Sequence, residues 1–133
     1  MKTPSWLRKE AVLAFHYQLL AEHGGRSGIR DEALLDSALA RPKNLLVYGK
    51  PSLFDLAAAY ACGIIKNHPF ADGNKRTGFM AAYVFLGING IEFMAEEGDV
   101  VLKTLALAAG ELTEKHYAAW LRENSRVEKP RKP

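Results

Sequence analysis

Nine consecutive residues, His68-Pro69-Phe70-Ala71-Asp72-Gly73-Asn74-Lys75-Arg76, bring together a base, a carboxylate, a glycine, an amide and two cations. An imidazole whose pKa lies near neutrality can accept a proton from an attacking hydroxyl at physiological pH. Residues Thr77 to Gly87 then read as a helix. A helix start offers unpaired N–H groups and a positive dipole end, which together suit a phosphate group. A carboxylate beside that point can hold Mg²⁺ on the same phosphates. The chemistry these residue types and spacings point to is phosphate-group transfer.

Each residue also has a plainer reading. An isolated histidine at a helix end is commonly bonded to a carbonyl, and only its neighbours favour a base here. Asp72 could cap the following helix instead of holding a metal. Gly73 permits a tight turn and close approach of backbone to a ligand. Asn74 could cap the helix or donate its amide to a phosphate oxygen. Lys75 and Arg76 read as a solvated face, except that two cations in a first helical turn oppose the dipole and are better explained by a bound anion. Phe70 carries no reactive group and is expected to bury the loop, while Pro69 limits its freedom.

The loop must be held by helices, because helical periodicity dominates the chain. Thr3-Pro4 supplies a cap and a proline for a first helix running to about Glu22, where His23-Gly24-Gly25 stops it. After a connection over Arg26 to Ile29, Asp31 and Glu32 start a second helix carrying Leu34, Leu35, Ala38 and Leu39, expected to end before Pro42. Arg41 to Pro51 holds two prolines and a glycine and reads as a loop or small flap. Ser52 and Asp55 form a capping-box start. Leu53, Leu56, Ala57, Tyr60, Ala61, Ile64 and Ile65 then recur at spacings of three and four, which predicts a central helix ending near His68. Asn89-Gly90 closes the helix after the motif, and Ile91–Met94 fits a strand or a turn. Asp99 is expected to cap a helix through Ala109, and Thr113 a last one carrying Tyr117, Trp120 and Leu121. The expectation is an all-α single domain over residues 1–125, with a basic, solvated tail at 126–133.

At 133 residues the chain is long enough to bury a core without metal or disulfide support. Its net charge of +3 is modest, and no basic stripe with interleaved aromatics suggests direct nucleic-acid binding. The lone Cys62 excludes a disulfide framework and reads as a small core residue rather than a nucleophile. No apolar stretch approaches the roughly 20 residues needed to span a bilayer, and the apolar run Ala11–Phe15 lacks the cleavage site of a signal peptide. A cytoplasmic location is expected. His16, His23, His68 and His116 lie scattered over separate segments without a His-Glu-x-x-His pair, which leaves little support for a metal hydrolase.

The motif resembles the Fic superfamily, whose signature is H-x-F-x-[D/E]-G-N-G-R-x-x-R, and more narrowly its death-on-curing (Doc) branch. Gly24-Gly25, the stretch from Gly28 to Pro42 and the later Phe85-Leu-Gly-Ile-Asn-Gly90 are also similar to that branch. The resemblance implies a compact helical bundle with the motif loop leading into a central helix. It implies His68 as the base, Asp72 as the Mg²⁺ ligand, and Gly73, Asn74, Lys75 and Arg76 as the nucleotide-phosphate site. It further loosely implies that Arg41–Pro51 is a flap that positions the target peptide.

Two departures bear on the reaction. Lys75 stands where AMP-transferring members have a second glycine, and Phe79 where they have a second arginine. The first puts a long cation in the phosphate site, and the second removes a bidentate fork. Lys75 is characteristic of the Doc branch, the toxin half of toxin–antitoxin pairs, associated with phosphorylating elongation factor Tu. The resemblance thus implies transfer of the γ-phosphoryl of ATP, with Mg²⁺, to a protein hydroxyl in the translation machinery. AMP transfer and a non-catalytic nucleotide- or partner-binding module are the alternatives. The inhibitory [S/T]-x-x-x-E-[G/N] element of some Fic proteins has no match, since Phe93 precedes Glu97-Gly98. A separate antitoxin that covers the nucleotide cleft is therefore expected.

Overall fold

The helix apolar on every side is the one the others surround. The computed structural model describes residues 3–128, with α1 (Lys9–His23), α2 (Glu32–Tyr48), α3 (Leu53–Asn67), α4 (Asn74–Ile88), β1 (Ile91–Phe93), α5 (Glu97–Ala109), α6 (Glu114–Glu123) and β2 (Ser125–Val127). It is an all-α fold with a two-stranded antiparallel ribbon, β1 pairing β2. Leu56 to Ala61 and Gly63 to Ile65 of α3 are all buried, and α3 packs against α2, α4, α5 and α6. The expected capping box is present: Ser52 Oγ accepts from the Asp55 N–H at 3.1 Å, and Asp55 accepts from the Ser52 N–H at 2.8 Å.

Small residues let the helices approach closely. A Cβ built on Gly63 would lie 3.2 Å from the Ala38 backbone of α2, and one on Gly78 of α4 would lie 2.8 Å from Ile65 Cγ1 and 3.0 Å from the Ala61 carbonyl. Aromatic side chains fill the remaining space. Tyr60 meets Phe85 at 5.1 Å, and Phe93 meets Trp120 at 5.2 Å. Tyr117 is fully buried and its hydroxyl bonds Thr104 at 3.0 Å.

Several boundaries differ from the sequence expectation. The first helix begins at Lys9, not at Thr3-Pro4, because tertiary bonds claim the preceding backbone. Ser5 exchanges two hydrogen bonds with the Asn89 side chain, at 2.8 and 3.0 Å, and the Leu7 N–H donates to the Tyr60 hydroxyl at 3.2 Å. Pro42 does not end α2, which runs on to Tyr48. A proline inside a helix costs on the order of 3 kcal/mol, but here Pro42 is buried, which offsets part of that cost. Arg41 is also pinned, donating to the Ala59 carbonyl at 3.3 Å and to Glu114 at 2.8 Å. The flap expected over Arg41–Pro51 is therefore mostly helix, and only Gly49 to Ser52 connect α2 to α3.

Elsewhere, α4 starts at Asn74, three residues before Thr77. Asp99 lies within α5 and accepts from the Trp120 indole N–H at 2.6 Å. Arg126 and Val127, expected in the tail, belong to β2, where Arg126 pairs with Glu92 at 3.2 Å. The rest of that tail, from Lys129, lies outside the described residues. Residues 93–98 change from strand to turn to helix, so they form no continuous inhibitory helix. No helix among the described residues is long and apolar enough to cross a membrane.

The close contact of α4 with α3 makes a direct test. Gly78→Ala should lower stability by about 1–3 kcal/mol, because the new methyl meets backbone and a branch carbon that cannot swing away. Gly87→Ala, which meets nothing within 4 Å, should instead raise stability by about 0.5–1 kcal/mol. Urea unfolding of both variants checks the pair.

Candidate active site

His68 ends α3 in a left-handed conformation, φ 52° and ψ 52°, the only such non-glycine residue among those described. An L-residue there costs on the order of 1–2 kcal/mol, so other bonds must hold it. The His68 N–H donates to the Ile64 carbonyl at 3.1 Å. The Arg30 guanidinium donates to the His68 carbonyl at 2.7 Å and to the Asn67 carbonyl at 3.0 Å, covering the negative end of α3. The Arg30 and Asp31 N–H groups both donate to the Pro69 carbonyl, at 2.7 and 3.0 Å. The residues around Gly28–Asp31 thus run beside the motif as a short clamp, with Ile29 and Phe70 bridged.

The turn that follows is built on Phe70 and Asn74, both buried. The Phe70 N–H donates to Asn74 Oδ1 at 3.0 Å, and Asn74 Nδ2 returns a bond to the Phe70 carbonyl at 3.0 Å. That pair identifies which end of the amide is oxygen. The second Nδ2 hydrogen goes to His68 Nδ1 at 2.9 Å. An amide nitrogen only donates, so His68 Nδ1 is an acceptor and the neutral ring carries its proton on Nε2. Asn74 spends both amide hydrogens inside the loop. Its side chain is therefore not free to reach a phosphate oxygen, and only its backbone N–H faces the helix start.

Gly73 takes φ 78° and stands at the N-cap of α4, with no side-chain cap and no acid in the first turn. The first-turn N–H groups of α4 consequently lack the partner that Ser, Thr or Asp would supply. Asp72, Lys75 and Arg76 are exposed beside this helix end, as is His68. Asp72 does not cap α4; its Oδ2 accepts from the Arg26 N–H at 3.3 Å and its Oδ1 from its neighbour Gly73 at 3.0 Å. The Arg26 N–H, the Gly73 N–H and the charges of Arg26 and Arg76 hold this carboxyl below the usual carboxylate range. Each carboxylate oxygen keeps a further lone pair for a cation.

Three contributors were not legible as site residues. Arg26 donates to the Ala71 carbonyl at 3.3 Å, Arg30 holds His68, and the α1 residue His16 is buried under the loop. Arg30 stands in the Gly28–Pro42 stretch that carries the family resemblance, which was a usable signal. A lone histidine in a helix carried none. The His23 ring lies 3.9 Å from Glu22 and His116 is bonded to Thr113 at 2.9 Å, and no cluster of three metal-ligating side chains occurs among the described residues. Phe79 packs beside Phe93 and Tyr83, at 5.7 and 6.0 Å between ring centres. Burial, with Glu114 nearby, pushes the Cys62 thiol up to about 11.

Two measurements follow from this geometry. Long-range ¹H–¹⁵N spectra of the neutral protein should show His68 with Nδ1 unprotonated and Nε2 protonated. Asn74→Ala should abolish that single-tautomer signature and cost about 1–3 kcal/mol by orphaning the Phe70 N–H; an unchanged spectrum would disprove the Asn74–His68 bond. Cys62 should react with iodoacetamide at pH 8 at least tenfold more slowly in the native than in the urea-unfolded chain, because only the thiolate attacks.

The family model of the Fic/DOC family matches residues 6–86. The chain is 47% identical over 76 residues to the protein named Toxin Doc of Mycolicibacterium smegmatis, a match covering 55% of this chain and 58% of that protein. It is 28% identical over 114 residues to the Protein kinase doc of Escherichia phage P1, covering 85% of this chain and 90% of that one. The clamp, the left-handed histidine, the Phe70–Asn74 brace and the uncapped helix all fall inside the matched segment, and on that ground the chain belongs to the Fic/DOC family.

Proposed function

We propose that this protein is the toxin of a toxin–antitoxin pair and a protein kinase, transferring the γ-phosphoryl of ATP to a hydroxyl of elongation factor Tu. The observation that carries the reading is the start of α4: a helix end without a side-chain cap, flanked by exposed Lys75 and Arg76, with Asp72 and His68 exposed in the same loop. The names of the two relatives, a toxin and a protein kinase, support it.

The donor set suits magnesium. One exposed carboxylate, with no second ligating side chain needed, matches an ion held by one or two carboxylates plus substrate phosphates. Asp72 would hold it, and when bound it would neutralise phosphate charge during transfer. The N–H groups of Asn74 and its neighbours would receive phosphate oxygens, and Lys75 and Arg76 would add charge. The acceptor oxygen attacks the γ-phosphorus, the bond to the bridging oxygen breaks, ADP leaves, and the hydroxyl proton passes to His68.

The resting tautomer constrains that last step. To accept a proton at Nε2, the neutral ring must carry its own proton on Nδ1, so the bond from Asn74 must be released when substrates bind. The phosphoryl-transfer state is loose, with little covalent work for a base until late, which makes such a rearrangement affordable. Phe79 favours the kinase over AMP transfer. Its ring is engaged with Phe93 and Tyr83, so no cationic fork stands one turn beyond Arg76. A separate antitoxin covering this exposed rim is the proposed regulator.

The test is label transfer to purified elongation factor Tu with Mg²⁺, using γ-labelled and α-labelled ATP in parallel. The γ label should transfer with the wild type and fall at least a hundredfold with His68→Ala. Asp72→Asn should cause a loss that raised Mg²⁺ does not restore. Transfer of the α label would establish AMP transfer instead. No transfer from either, to any protein of a cell extract, would leave a binding module. Added antitoxin should abolish both ATP binding and labelling.

A further inference from the structure

His16 is a buried polar side chain in contact with the motif loop that the reaction above does not use. It lies on α1, is 6% exposed, and touches the motif loop in two ways. Its ring stacks on Phe70, centre to centre 3.8 Å and only 10° from parallel. Its Nε2 lies 2.8 Å from the Asp72 carbonyl oxygen, 56 positions away in sequence. A carbonyl only accepts, so Nε2 carries the proton and donates. Gly73 lies beside the same ring, since a Cβ built there would stand 3.6 Å from His16 Cδ2.

We propose that His16 is a positioning residue: through the Asp72 carbonyl it fixes the backbone from which the Asp72 carboxylate and the Gly73 N-cap project. The role rests on the reading of Asp72 as the magnesium ligand. An imidazole meets both demands at once, a flat face for Phe70 and an N–H at the ring edge for the carbonyl. Phenylalanine keeps only the face, and glutamine only the donor. The other bonds that tie this part of the loop to remote chain, from Arg26 to the Ala71 carbonyl and the Asp72 carboxylate and from the Ala71 N–H to the Gly28 carbonyl, involve an exposed segment. His16 supplies the one that comes from a buried side chain, on a helix that packs along α4.

The test compares His16→Phe and His16→Gln with the wild type in the full chain. The first readout is amide hydrogen exchange. Gly73, whose N–H rests on the Asp72 carboxylate, should lose protection in His16→Phe, while Ala81 and Phe85 in the core keep theirs. The second is ATP binding by calorimetry with and without Mg²⁺. His16→Phe should bind ATP as the wild type does without Mg²⁺ but lose roughly ten- to a hundredfold of the magnesium-dependent gain, the usual effect of removing a group that orients a metal ligand. His16→Gln should recover part of both signals.

Wild-type exchange at Gly73 in both variants would overturn the proposal. So would loss of protection at Gly73 and Ala81 together, which would make His16 an ordinary packing residue. Asp72→Asn separates the two readings. If it leaves the magnesium gain intact, Asp72 is not the ligand, and the exchange data alone then decide whether His16 holds the loop.

Discussion

Phe70 is fully buried in the middle of a turn, so its backbone N–H and carbonyl have no water to turn to. An unpaired buried group of this kind costs about 1–3 kcal/mol, and the Asn74 amide satisfies both. The remaining Asn74 hydrogen reaches His68. One buried amide therefore joins the anchor of the loop, the first residue of α4 and the orientation of the imidazole. The exposed groups, His68, Asp72, Lys75 and Arg76, are presented to solvent from a turn that cannot collapse.

Around that brace the loop is held by pieces of chain remote in sequence. The Gly25–Asp31 segment supplies N–H groups and two guanidinium groups to the carbonyls of His68, Pro69 and Ala71 and to the Asp72 carboxylate. These bonds compensate the left-handed conformation at His68. They also consume the carbonyls at the end of α3, so that the negative pole of that helix is covered while the positive pole of α4 stays open. The local field thus favours an anion at α4 without a competing dipole beside it.

The scaffold's contribution is closeness. Gly63 and Gly78 bring α2 and α4 against α3 with backbone nearly in contact, and the small residues of α3 leave its faces smooth enough for all its neighbours. Phe79 belongs to this packing rather than to the loop. Its aromatic neighbours explain why the position that could carry a second cation carries a ring.

Much was legible without coordinates. The central helix, its capping box, the stop at His68, the Gly73 turn and the Thr113 cap are local matters, decided within a few residues by apolar spacing, side-chain caps and the conformational limits of glycine and pre-proline residues. The motif was legible as a candidate site for the same reason. What tertiary structure decided is everything that competes with local preference. Ser5 and Leu7 bond to Asn89 and Tyr60 and so stay out of α1. Pro42 remains inside α2 because core burial outweighs one lost backbone bond. Asn74 turns its amide inward rather than toward a ligand, and His16 and Arg30 come to the loop only through the fold. Such contacts join residues tens of positions apart, and a buried donor takes whichever acceptor folding brings to it, so no local pattern can announce them.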